Sequence, residues 1–165
     1  MSRIRLYLVR HGDAASPAED PACGLSEGGR AAIQRLAAFI RPLSLTPAEV
    51  RHSGKPRALQ TANILAGALS GSPPVKGYAG LNPNDSPLEI AAQVESEEQD
   101  LMLVGHLPFM SLLSSHLLAR GGPPEVITFR TGTMACLQRG SGDVWHLEWV
   151  VHPDLLPSAP GAGSR

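Results

Sequence analysis

Short apolar runs alternate along the chain with segments whose apolar residues recur at helical spacing. Ile4 to Val9 is strand-like and apolar except at Arg5, and Leu101 to Val104 is apolar at every position. A strand with no polar face is expected where a sheet is covered on both sides. Glu49 to His52 and Val75 to Tyr78 read as further short strands. Between these runs the period changes. Ile33, Leu36, Ala37 and Ile40 lie on one face of a helix over Ala31 to Ile40, and Pro42 stops it. Ala58, Leu59, Ala62, Leu65 and Leu69 do the same over Pro56 to Leu69. Pro87 to Val94 and Pro108 to Leu118 supply two more helices. Met134 to Gln138 and Val144 to Val151 flank Gly140-Ser141-Gly142 and read as an antiparallel pair. Strand and helix alternate, which predicts a three-layer α/β/α fold with a mostly parallel central sheet and an antiparallel edge strand.

A chain of 165 residues fits one domain with a substantial core. The expected division is a single domain over 1–152 and a Pro/Gly-rich tail over 153–165. Fourteen basic residues against fifteen acidic ones leave no basic tract, so nucleic acid is not an expected partner. No apolar stretch reaches membrane-spanning length, and no signal-like core follows the basic start; the protein is expected in the cytoplasm, off the membrane. Cys23 and Cys136 make no disulfide framework or metal spacing.

The chemistry gathers where apolar runs end. Leu8-Val9-Arg10-His11-Gly12-Asp13 closes the first strand. Arg10 supplies a planar cation for an oxyanion, and Gly12 lets the chain turn away. Gly105-His106 closes the Leu101 run in the same way. Ser53-Gly54-Lys55-Pro56-Arg57 opens the second helix, with Pro56 suited to its first turn and Arg57 beside the free N–H groups there. Leu25-Ser26-Glu27-Gly28-Gly29-Arg30 opens the first helix. Open α/β sheets bind ligands outside the carboxyl ends of their strands. Two arginines and two histidines should therefore meet on one rim, a site suited to a phosphoryl group.

In this order, the Arg-His-Gly turn, the Leu-Ser-x-x-Gly helix start, the Ser-x-x-x-Arg-Ala-x-Gln-Thr-Ala helix and the late Gly-His resemble the histidine phosphatase superfamily. The resemblance covers about Arg3 to Leu137, and the short length is similar to that of the family's phosphohistidine phosphatases. It implies a minimal phosphoglycerate-mutase-like fold without a lid insertion. It also implies a phosphatase that needs neither metal nor cofactor. His11 would form a covalent phosphohistidine, Arg10 and Arg57 would hold the non-bridging oxygens, and His106 would stabilise the transition state. A phosphate or sulfate ion should bind there. Gly12, Ser26, Gly105 and Asp85 are expected to line the substrate.

The general acid is open among Asp13, Asp85 and Glu89, with Asp13 the first choice because it adjoins the Arg-His-Gly turn; a plain turn role explains it equally well. Without a placed acid, a labile substrate bond is favoured, as in phosphohistidine. The stretch between Arg57 and Leu101 is too short to build a lid, which favours a phosphorylated protein of the histidine-phosphotransfer type. The alternatives are a small-molecule phosphomonoesterase and a non-catalytic phosphoprotein-binding module. His52, beside Ser53, and Thr131-Gly132-Thr133 are secondary candidates for the rim. His116, His146 and His152 are expected to have no catalytic part.

Overall fold

The computed structural model describes residues 3–121 and 125–158. In chain order its elements are β1 (Ile4–Arg10), α1 (Glu27–Ile40), β2 (Glu49–His52), α2 (Pro56–Ala66), β3 (Val75–Gly77), α3 (Pro87–Glu95), β4 (Leu101–Gly105), α4 (Phe109–Ala119), β5 (Met134–Arg139) and β6 (Trp145–Val151). They build one sheet in the order β3-β2-β4-β1-β5-β6. The first four neighbours run parallel; β5 is antiparallel to both β1 and β6. The antiparallel strand thus lies one place in from the edge, and β6 is outermost.

Alternation along the strands sorts the core into two halves. Tyr7 and Val9 of β1, with Met102 and Val104 of β4, face a cluster built with Ile33, Leu36 and Ile40 of α1 and Ala58, Ala62 and Leu65 of α2. Leu6 and Leu8, with Leu101 and Leu103, face the opposite cluster, which holds Ile90 and Val94 of α3 and Phe109 and Leu113 of α4. This is why the central strands carry no polar face. Each buried aliphatic side chain contributes about 1.5–3 kcal/mol, so the two clusters together dominate the stabilising side of folding. No helix among the described residues is long and apolar enough to cross a membrane.

Element ends depart from the apolar pattern in instructive places. The first helix begins at Glu27, four residues before Ala31, because the Ser26 side chain caps it by accepting from Gly29 N–H at 2.9 Å. The second stops at Ala66, short of Leu69, where the Gly67 N–H turns back to the Asn63 carbonyl. Ala68 and Leu69 are still buried, so the apolar spacing outlasts the helix. Leu59, expected on the core face, is instead among the exposed apolar residues. The tail expected from Pro153 begins packed: Pro153 is buried, and residues Pro153–Leu155 form a 3-10 turn against α1. The final seven residues, 159–165, lie outside the described residues.

The start of α1 is pressed onto the turn after β1. A Cβ built on Gly29 would meet the backbone N and C of Asp13 at 2.9 Å, and the Asp13 carbonyl oxygen closer still. Backbone cannot yield as a side chain does. Gly29→Ala should therefore destabilise the protein by about 1–3 kcal/mol or more, read as a lowered melting temperature, whereas Gly28→Ala, which meets nothing, should be neutral or better.

Candidate active site

Strand register assembles the site. In the parallel pair β1–β4, Val9 sits opposite Val104 and Arg10 opposite Gly105. The next residues, His11 and His106, leave the sheet side by side, with ring centroids 4.9 Å apart. The His11 N–H continues the ladder to the Gly105 carbonyl at 3.0 Å. On the other flank of β4, His52 pairs with Val104, so Ser53 emerges at the same level. Three chain segments far apart in sequence end on one rim.

The chemistry of His11 is set by its own loop. Its Nδ1 lies 2.6 Å from the Gly12 carbonyl oxygen. A carbonyl only accepts, so Nδ1 carries the proton and the Nε2 lone pair is free. Burial pushes the His11 pKa down to about 4; the Gly12 hydrogen bond opposes this, the cations Arg57 and Arg10 add to it, and Asp13 opposes it weakly. His106 is pushed down to about 3, by burial first and then by His11, Arg57, Lys55 and Arg10. Both imidazoles are neutral at pH 7 although they stand among cations. Arg10 is held by its backbone N–H to the Thr133 carbonyl at 3.0 Å and by Nη1 to the Phe129 carbonyl at 2.8 Å. Its Nε is buried without a partner among the described residues. Arg57, the second residue of α2, makes no ion pair among them. Uncommitted guanidinium donors around a free imidazole lone pair form a receptor for a tetrahedral oxyanion.

The sequence model of the histidine phosphatase superfamily (branch 1) matches residues 6–82, which hold the Arg10-His11-Gly12 turn and Arg57. Over that segment, 77 of the 165 residues, the chain is similar to the histidine phosphatase superfamily. Solved structures agree in fold. The protein histidine phosphatase SixA, solved with tungstate, is 21% identical, with a TM-score of 0.80 over 92% of this chain and 99% of that one. A candidate phosphohistidine phosphatase SixA from Agrobacterium tumefaciens is 24% identical, with a TM-score of 0.73 over 93% of this chain and 100% of that one. A mycobacterial glucosyl-3-phosphoglycerate phosphatase is 18% identical, with a TM-score of 0.67 over 89% of this chain and 98% of that one. No curated protein sequence matches the chain.

Within this histidine phosphatase fold the four principal candidates, Arg10, His11, Arg57 and His106, converge. The other expected site residues have structural work of their own. Asp13 is exposed; its carboxylate accepts from Ser26 Oγ at 3.0 Å and its carbonyl from Ser26 N–H at 2.9 Å. Ser26 is thereby the cap of α1 and a brace for the His11 turn. Gly12 is required by packing, whereas Gly105 faces the yielding end of a methionine. A Cβ at Gly12 would meet Ile33 Cγ1 at 2.8 Å and Leu25 Cδ2 at 2.9 Å, and one at Gly105 would meet Met110 Cε at 2.6 Å. Asp85 closes its own turn by accepting from Asn82 N–H at 2.9 Å. Glu89 lies in the exposed first turn of α3.

Reading the sequence missed the roles of Thr61, Ser53 and Lys55, whereas Thr131-Gly132-Thr133 was already a candidate for the rim. Thr61, fully buried, accepts from Gly12 N–H at 3.0 Å and donates to the Arg57 carbonyl at 2.8 Å, tying the His11 loop to α2. Ser53 contacts His106, with Oγ 2.6 Å from Nε2. Lys55, which precedes α2, adds a third cation whose field reaches His106. Thr131-Gly132-Thr133 braces the site from behind: Gly132 N–H donates to the carbonyls of Arg10 and His11, each at 3.0 Å. His152 supports that brace through Thr133 Oγ1 at 2.6 Å. His52 turns its Nδ1 to Gly54 N–H at 3.0 Å, a local turn contact. Thr61 and Ser53 belong to the motif that carries Arg57, so their position was the available signal.

Two outcomes follow from this geometry. Thr61→Val leaves the Gly12 N–H buried and unsatisfied, a cost of about 1–3 kcal/mol in thermal or denaturant unfolding, and Thr61→Ser restores most of it. Because His11 sits below the ordinary value of 6.5, the unfolded chain takes up that proton first as pH falls. The stability contributed by neutral His11 is full above 6.5 and is lost as pH falls towards about 4. Histidine NMR titration should show the same depressed midpoint, and His11→Phe should flatten that part of the stability profile.

Proposed function

We propose that the protein is a phosphatase that works through a phosphohistidine on His11 and acts on phosphohistidine carried by another protein. The observation that carries this reading is the His11 imidazole: neutral, with Nδ1 tied to the Gly12 carbonyl at 2.6 Å and Nε2 free among Arg10, Arg57 and His106. In the first step Nε2 attacks phosphorus and the P–N bond to the substrate imidazole breaks. Protonation of that leaving ring at its other nitrogen lets it depart as neutral imidazole. Water then attacks the phosphorus on His11, and inorganic phosphate leaves. Arg10 and Arg57 hold the non-bridging oxygens throughout, and His106 donates to the charge that develops on them.

Two features favour phosphohistidine over an ester. Asp13 is engaged with Ser26, and Asp85 with its own turn, so neither carboxylate is free to serve as a dedicated proton donor, although the field of Asp13 reaches His11. An alkoxide needs such a donor; a protonated imidazole leaves without one. The second is access. Between α2 and β4 the chain builds only β3 and α3, which leaves the rim open to a side chain presented by a protein. The SixA relatives, two of which are named for phosphohistidine or protein histidine phosphatase activity, agree with this choice.

The test compares release of phosphate from a phosphohistidine-bearing phosphotransfer protein with turnover of p-nitrophenyl phosphate, both with EDTA. Fast release from the protein with poor ester turnover is expected, and His11→Ala should lower it about a thousandfold or more. Preferred ester turnover would replace the substrate assignment with a small-molecule phosphomonoester. Phosphoprotein binding without turnover of either substrate would point to a binding module.

A further inference from the structure

His106 is aimed by a single side chain. The imidazole is 2% exposed, and the Ser53 hydroxyl is its hydrogen-bond partner, with Oγ 2.6 Å from Nε2. The other ring nitrogen, Nδ1, is buried and has no partner among the described residues. With one hydrogen and two lone pairs, the Ser53 hydroxyl can either donate to that nitrogen or accept from it. Ser53 Oγ accepts from the Lys55 backbone N–H at 3.4 Å, and a hydroxyl has one hydrogen of its own to give. His106 Nε2, in the form with its proton on Nδ1, is the nearest group to receive it. Burial and the surrounding cations hold His106 at about 3, so the ring is uncharged and carries one proton. With Nε2 accepting, that proton sits on Nδ1.

A buried N–H with no acceptor is rare in folded proteins and asks for one. The neighbouring ring is that of His11, 4.9 Å away and inclined by 51°. We propose that Ser53 is a positioning residue: its hydroxyl locks His106 in the Nδ1–H form and reserves that N–H for an oxygen of the phosphoryl group passing through His11. The second half of this statement rests on the phosphatase reading. The first half is a property of the resting protein. Register explains why a serine can do this here: His52 pairs with Val104, so the first residue beyond β2 lies level with Gly105 and beside His106. Gly54, at φ 91°, then turns the chain into α2 and brings the Lys55 N–H back onto the hydroxyl.

The test pairs Ser53→Ala with Ser53→Thr, which keeps the hydroxyl. Nitrogen-15 spectra of the histidines at neutral pH separate the two neutral forms. The wild type and Ser53→Thr should show His106 as Nδ1–H, and Ser53→Ala should show a mixture. The rate of phosphoryl transfer from a phosphohistidine-bearing protein to His11 should fall about tenfold or more in Ser53→Ala, with KM changed by no more than about twofold, and recover in Ser53→Thr. His106 found as Nε2–H in the wild type would overturn the assignment. So would a Ser53→Ala protein with unchanged spectrum and rate. If Ser53→Ala fails to fold, the wild-type and Ser53→Thr spectra still decide the tautomer. A wild type that transfers no phosphoryl group overturns the phosphatase reading, while the spectrum separately judges the hold of Ser53 on His106.

Discussion

The parallel register between β1 and β4 is the constraint from which the site follows. With Arg10 opposite Gly105, two histidines leave adjacent strands at the same height. A slip of one residue would send each side chain of β1 to the opposite face, exchanging Leu6 and Leu8 for Tyr7 and Val9 between two closely packed clusters. The register is therefore held by the whole core, and the placement of His11 beside His106 inherits that stability. A rigid sheet carries the precision; the loops need only turn away from it.

The second constraint is electrostatic. A nucleophilic imidazole must keep its lone pair, yet a phosphoryl site must be cationic. Here the two demands support each other. Burial and the arginines both disfavour protonation, and the Gly12 carbonyl takes up the one N–H that His11 retains. The guanidinium groups stay charged because their basicity is far above neutral, so at pH 7 the site separates into cations and neutral rings. The braces behind it keep that arrangement: Gly132 on the carbonyls of Arg10 and His11, and Thr61 on Gly12.

Several residues that look chemical in the sequence do mechanical work in the fold. Ser26 and Asp13 form a cap and a brace, and Gly29 is bare because the Asp13 backbone lies against it. Gly12 and Gly105 make room for Ile33, Leu25 and Met110. Conversely, Thr61 and Ser53 look like ordinary helix and loop residues, yet Thr61 holds Gly12 beside His11 and Ser53 contacts His106. Short motifs mix both kinds of residue because one backbone path must satisfy chemistry and packing together.

The layered α/β architecture, most strand positions and the convergence of Arg10, His11, Arg57 and His106 were legible in the linear chain. Hydrophobic periodicity reports which face each element buries, and the polar pairs at strand ends can only gather where parallel strands end. The linear chain left undecided where helices stop, as Gly67 does to α2, and that Leu59 is exposed while Ala68 and Leu69 are buried beyond the helix. It also left open which oxygen meets which nitrogen: Ser53 on His106, Thr61 on Gly12, Thr133 on His152. Such contacts join residues separated by 19 to 53 positions, so no local propensity encodes them. They exist only once the sheet has closed its register and brought those segments within hydrogen-bonding reach.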